Sequence, residues 1–426
     1  MCFSNLIVRI LYFCLHYILT MDYEKYTLEN GIRIIHLPVK SPVGHCGLII
    51  NAGSRDEKEH EHGMAHFIEH AIFKGTKKRK PYHILSRMED VGGEINAYTT
   101  KEETAIHTTF LKNDYERALE LIADVTFHSV FPAKELNREK EVIIEEIKSY
   151  KDDPAELIFD DFEELIFRNQ PLGRNILGNP KDLRKFNKKD IESFIRNNYH
   201  TNQMVICSVG EIAFTKIVKL VQKYFGQIPV NHRTREREKI ENYTPETRIV
   251  KKKTHQAHCV MGNIAYNVHD PKKIGLTLLD NMLGGPGLNS RLSLLLREKH
   301  GYAYHVESNY SPYSDTGLFS VYFGTDKENL EKCIHLIKKE FEMLRTRKLG
   351  VVQLRKAKKQ LFGQIAINSE NNANLMLALG KSYLVFDKVD GLDEIKEKIE
   401  AITVEDVQEI ANEILDFEKM SMLIYQ

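Results

Sequence analysis

The chain has 426 residues, 42% of them hydrophobic and 28% charged, with 60 Lys+Arg against 60 Asp+Glu. That length exceeds one ordinary core, so two or more domains are expected. A formal net charge of zero gives no global attraction to nucleic acid or to an acidic membrane face, so neither class of partner is expected.

The six cysteines (Cys2, Cys14, Cys46, Cys207, Cys259 and Cys333) are scattered, without CxxC pairs. This favours a reducing, cytoplasmic setting and argues against thiolate metal sites. Residues 1–20 are apolar, with the run Ile10 to Leu19 interrupted by His16. The run is short for a bilayer span and no small-residue cleavage site follows it. The preferred reading makes Met21 the start of the globular chain and residues 1–20 an extension. The alternative is export or anchoring through that segment. No other segment reads as a membrane span.

A strand is expected over His45 to Gly53. The polar run Asp56 to His62 follows, in which His60 and His62 read as exposed loop residues. Met64 to Phe73 has helical character and contains His66-Phe67-Ile68-Glu69-His70. Residues three and four apart share a helix face, so His66 and His70 can hold one ion with Glu69 beside it. Two imidazoles, a carboxylate and an open position for water suit zinc. Chance yields HxxEH about 0.1 times or fewer in such a chain, so the match alone leaves a structural reading open. The basic runs Lys77 to Lys80 and Lys251 to Lys253 read as solvated loops.

Gly92-Gly93 reads as a turn before Glu94 to Thr100, whose side chains alternate in character. A strand ending at Phe110 leads into a helix over Tyr115 to Ile122. Glu135 to Tyr150 is helical, with Glu139 and Glu146 two turns apart on a face shared with Val142 and Ile143. Carboxylates on a partly buried face need a partner or a metal. A solvated acidic stripe is the competing reading.

The second half repeats the first. His45-Cys46 returns as His258-Cys259, 213 residues on, and the strand ending at Phe110 returns as one ending at Phe323. The segment Asn187 to Tyr199 resembles Thr403 to Leu415, and strand-like stretches follow both, Gln203 to Gly210 and Lys419 to Gln426. The expected fold is therefore α+β. Two homologous domains span 21–228 and 254–426, joined by an exposed linker over 229–253. At the repeat interval His66, Glu69 and His70 fall on Leu279, Met282 and Leu283, so one metal per chain is expected. Gly284-Gly285-Pro286-Gly287 reads equally well as a plain turn.

HxxEH is the inverted zincin motif. Gly63 to Thr76 resembles the signature of the inverzincin zinc metallopeptidases: pitrilysin, insulin-degrading enzyme and the mitochondrial processing peptidase. Arg138 to Ile147 resembles the family's second motif, and Gly92 to Thr99 its edge strand beside the metal. Leu296 to Tyr304 resembles its second-domain motif. The resemblance implies a pitrilysin-like fold, each domain a mostly antiparallel sheet with helices on one face. It implies Zn²⁺ on His66, His70 and Glu146, with Glu69 as the base that activates water and Glu139 in support. It also implies that Arg297 and Tyr304 reach the substrate, and that Glu94, Ile95, Asn96, Ala97 and Tyr98 pair with an extended peptide.

With two domains rather than four, the chain resembles the short type. A dimer is then expected, either of two copies or with a related two-domain subunit. It would enclose a chamber in which flexible peptides are cut. Two other readings stand beside the endopeptidase: a non-catalytic scaffold or partner subunit of the same fold, and a peptide-binding module with structural zinc.

Overall fold

The computed structural model describes residues 22–234, 236–240 and 243–426, so the N-terminal segment 1–20 lies outside the described residues. Among the described residues no helix is long and apolar enough to cross a membrane.

The chain divides into two compact units, each built around one sheet. The strands of the first are β1 (Glu24–Thr27), β2 (Arg33–Pro38), β3 (Val43–Ile50), β4 (Glu94–Thr99), β5 (Thr104–Leu111) and β6 (Met204–Gly210). Their order is β1-β2-β6-β3-β5-β4. Only β2 and β6 run parallel. The central β6, of sequence MVICSVG, is buried at all seven residues, as a strand covered on both faces must be. β4, of sequence EINAYT, is a partly exposed edge.

The strands of the second are β7 (Thr247–Val250), β8 (Ala257–Ala265), β9 (Ala303–Pro312), β10 (Gly317–Thr325) and β11 (Ser421–Tyr425). Their order, β7-β11-β8-β10-β9, reproduces β2-β6-β3-β5-β4, again with one parallel pair, β7 with β11. The repeat extends to helix starts. Helices Lys188–Asn198 and Val404–Ile414 both open on a capping box, Asn187 with Asp190 and Thr403 with Asp406. Each box closes orphan backbone donors reciprocally.

Strand β7 lies inside the stretch 229–253 expected to be linker. It is four residues long and pairs in parallel only with β11. The units are also discontinuous in sequence. The first gathers residues up to Ile144, Ile176–Glu236 and Ile365–Lys396; the second holds Glu145–Asn175, Arg237–Gln364 and Glu397–Gln426. Thus the helix Asn372–Phe386, from the second half of the sequence, places Met376, Leu379 and Tyr383 against Ile35, Ile49, Val205 and Val209 of the first sheet. Reciprocally, the helix Pro154–Ile166 places Ile158, Phe162 and Leu165 against Val260, Leu318 and Leu423 of the second.

Helices therefore cover both faces of each sheet, not one. On the other face of the first sheet, the helix Tyr115–Phe127 packs on β3 and β5, with Tyr115 edge-on to Phe110 at 4.8 Å. On the second sheet, the helix Val404–Ile414 packs against β8 and against the helices Lys273–Gly284 and Leu330–Thr346. Cys46, Cys207, Cys259 and Cys333 are buried free thiols within these cores.

Candidate metal centre

The motif helix, Met64–Ala71, packs against β4 and buries Met64, Ala65, His66, Phe67, Ile68 and Ala71. Eight residues are too few for a helix to hold itself. Its start is fixed by a residue within the polar run Asp56 to His62. Glu57 is 3% exposed and accepts hydrogen bonds from the backbone N–H of Gly63 and of Ala65, both at 2.9 Å. A carboxylate at this end also interacts favourably with the positive end of the helix dipole. Of the two histidines expected to be loop residues, His60 is exposed, and His62 is half-buried with Asn179 Nδ2 3.2 Å from its Nδ1. Gly63 has φ +95° and sits against Gly178, which has φ +72°; a side chain on either would meet the other's backbone.

His66 and His70 project from this helix with ring centroids 4.6 Å apart. The helix Ala133–Lys151 brings a carboxylate to them. It runs unbroken past Ile144, so Glu146 stands on the same helix as the buried Glu139 and Ile143. Donor atoms of His66, His70 and Glu146 all lie within 4.8 Å of one another, with His66 buried, His70 half-buried and Glu146 exposed. Val142, expected on the buried face, is 53% exposed.

Glu139 Oε1 accepts from His70 Nδ1–H at 2.9 Å, and its Oε2 takes the Lys74 ammonium at 2.8 Å. Burial opposes the Glu139 charge, but the bonds from His70 and Lys74 outweigh it and hold its pKa below the usual carboxylate range. With Nδ1 engaged, His70 presents Nε2 to a ligand. Burial, and then the neighbouring His70, push His66 down to about 4, so its ring is neutral near pH 7. A neutral His66 ring, a second imidazole with Nδ1 already engaged and an exposed carboxylate fit a zinc ion.

Glu69 follows on the same helix and is half-buried. Burial pushes the Tyr199 hydroxyl up, a hydrogen bond with Thr104 opposes this, and the negative charge of Glu69 adds to it. Tyr199 escaped the sequence reading; its proximity to Glu69 comes only from the folding of β5 and the segment after Asn198.

Glu94 to Thr99 form β4, the end strand of the first sheet, paired on one side with β5. Glu94, Asn96 and Tyr98 point to one face and Ile95 and Ala97 to the other. Arg297 and Tyr304 belong to the second unit. Arg297 stands on a π-helical segment, Ser293–Lys299, with its guanidinium carbon 5.2 Å from the centre of the Tyr304 ring. Such segments recur at functional positions. Tyr304 is 80% exposed. Both border a cavity of about 240 Å³ walled by the glycine loop Gly284 to Gly287 and by Glu307 and Ser308. The helix of this unit that matches the motif helix, Lys273–Gly284, has buried Leu279 and Leu283 where the histidines would stand.

The described residues thus form a doubled αβ architecture that carries one His–His–Glu cluster able to hold a metal ion. Residues 37–180 match Insulinase (Peptidase family M16), and residues 185–361 match the Peptidase M16 inactive domain. The chain belongs to peptidase family M16. It is 33% identical over 393 residues to a Bacillus subtilis protein named uncharacterized zinc protease YmxG, covering 92% of this chain and 95% of that one. It is 32% identical over 404 residues to a Rickettsia felis protein named uncharacterized zinc protease, covering 93% and 96%. A crystal structure of a protease from Helicobacter pylori shares the fold at a TM-score of 0.86 and 22% identity, over 95% of this chain and 99% of that one. A Pseudomonas fluorescens structure described as a peptidase M16 inactive domain gives 0.88 at 21% identity, over 95% and 97%.

Proposed function

We propose that the chain is a zinc-dependent endopeptidase that cleaves flexible peptides. The observation that carries this reading is the convergence of His66, His70 and Glu146 within 4.8 Å. It stands beside Glu69 on a chain whose relatives are named zinc proteases. When bound, zinc supplies Lewis-acid polarisation of the scissile carbonyl and lowers the pKa of water toward about 7. Glu69 then accepts a proton from the attacking water and delivers it to the leaving amine, with no covalent intermediate on the protein. Glu139 keeps His70 in one tautomer. The free edge of β4 offers backbone N–H and C=O groups to an extended peptide, with Glu94, Ile95, Asn96, Ala97 and Tyr98 beside it. Arg297 and Tyr304 are assigned to the substrate and to the oxyanion that develops on it.

Two chains, identical or related, form the working assembly, a chamber that admits unstructured peptides and excludes folded proteins. The proposed setting is cytoplasmic.

Metal analysis of the purified protein, followed by cleavage of a peptide library by wild type and Glu69→Gln, tests the chemistry. Glu69→Gln should retain zinc and lose turnover. A Glu69→Gln protein with wild-type turnover removes the base assignment. Zinc-loaded wild type that cuts no peptide favours the scaffold reading.

A further inference from the structure

The motif helix ends at Ala71, and the turn that leads away from it is held unusually firmly for a loop. Lys74 N–H donates to Ala71 O at 3.1 Å. Gly75 has φ +134°, a conformation that favours glycine, and its carbonyl accepts from Val130 N–H at 3.0 Å. Thr76 N–H donates to Arg79 O at 2.8 Å, and its hydroxyl donates to the buried Asp124 at 2.8 Å. Arg79 closes the turn on Asp124 at 2.6 Å and Glu120 at 2.7 Å. The Lys74 backbone is thereby clamped between the motif helix and the helix Tyr115–Phe127. Its ammonium lies 2.8 Å from Glu139 Oε2, while Oε1 of the same carboxylate holds His70 Nδ1 at 2.9 Å.

We infer that Lys74 is a positioning residue for the metal ligand His70, acting through Glu139. The inference rests on the metal-site reading above. Glu139 is 6% exposed, so little solvent reaches its carboxylate. With one donor on each oxygen, the carboxylate cannot turn about its Cγ–Cδ bond without breaking both bonds. Its plane, and through it the plane of the His70 ring, is set by where Lys74 stands. Without the ammonium, a buried anion loses its compensating charge. The carboxylate then turns or draws toward solvent, and His70 loses a fixed orientation. Partners that orient a ligating histidine typically contribute about 10–100-fold to metal affinity. One contact further out, Lys74 should act at the lower end of that range.

The test is zinc affinity of the metal-free protein, measured by competition with a chromophoric chelator, together with thermal melts of the metal-free forms. Lys74→Met should bind zinc about 10-fold more weakly. Lys74→Arg, which keeps a cation in reach, should recover affinity to within a few-fold. In a Glu139→Gln background, Lys74→Met should cost nothing further, because the two act as one unit. Lys74→Gln serves the same comparison if the Met variant does not melt cooperatively. Wild-type affinity in Lys74→Met or Lys74→Gln overturns the inference, as does a full additive loss on top of Glu139→Gln. His66→Ala is the control that should bind no zinc. If wild type itself binds none, the metal-site reading falls and this inference with it; if wild type binds and the lysine variants match it, only the inference falls.

Discussion

Replacing Glu57 with Gln should loosen the motif helix while barely changing the shape of the side chain. The carboxylate is 3% exposed and accepts two N–H groups, from Gly63 and Ala65, at 2.9 Å each. A hydrogen bond to a charged group contributes about 1.5–3 kcal/mol. Glutamine keeps one carbonyl oxygen but turns an NH₂ toward the other N–H, so one acceptor is lost and a buried donor is left facing a donor. Loss of the negative charge at the helix start removes roughly 0.3–1 kcal/mol more. Together these give about 2–4 kcal/mol, concentrated in a helix of eight residues with His66 in its first turn. Hydrogen exchange on the amides of 64–71 reads this directly. At about 1.4 kcal/mol per tenfold, protection there should fall by roughly 30- to 1000-fold, with strands β3 and β6 changing far less. Protection in Glu57→Gln within twofold of wild type would show that the motif helix is held by its packing on β4 alone.

Gly178→Ala should destabilise by about 2–4 kcal/mol in denaturant melts, combining left-handed backbone strain with overpacking. Its Cβ would lie 2.5 Å from Gly63 Cα and 2.6 Å from His62 O. Gly92→Ala, at φ +73° with nothing within 4 Å of its Cβ, should cost only about 1 kcal/mol, and equal costs would refute the role given to the close approach. His36 is fully buried, and burial lowers its pKa from 6.5 to about 4 against weaker opposing bonds to the backbone at Ile212 and Ser208. Between those pH values the unfolded chain binds the extra proton, so native stability falls as pH drops. The loss at pH 5 is on the order of 2 kcal/mol, and a His36→Gln variant should show a correspondingly flatter stability profile between pH 7 and pH 5. Light scattering should find a dimer at assay concentration, able to cut a peptide when free but not when embedded in a folded protein; a fully active monomer, or equal cleavage of both forms, would contradict the chamber.

The parts of the site written in adjacent residues were legible. His66, Glu69 and His70 stand within two helical turns, and their spacing alone places them side by side. Glu146 needed the family resemblance, because nothing local distinguishes it from Glu145 on an acidic helix. Lys74, Glu57 and Tyr199 left no usable signal. Each acts through a contact made across the fold, and Glu57 sits in a run whose polarity reads as solvent exposure although its carboxylate is buried under a helix end. The doubling of the fold was legible because His45-Cys46, the strand ending at Phe110 and the segment Asn187 to Tyr199 each recur in order. Strand β7 was not, since four residues of mixed character, TRIV, carry no alternation long enough to read. Nor was the destination of the helices Pro154–Ile166 and Asn372–Phe386. Periodicity reports that a helix has an apolar face, but not which sheet that face will cover.

That crossed destination has a consequence for synthesis. When β6 leaves the ribosome, all six strands of the first sheet exist, yet Ile35, Ile49, Val205 and Val209 still await Met376, Leu379 and Tyr383. At ~5–20 residues per second, that face stays uncovered for on the order of ten seconds or more. The nascent chain cannot bank a finished first half and begin the second. It must shield an apolar sheet through the whole translation of the other unit, and a ribosome that stalls past residue 240 leaves a product with an open core rather than a smaller working protein.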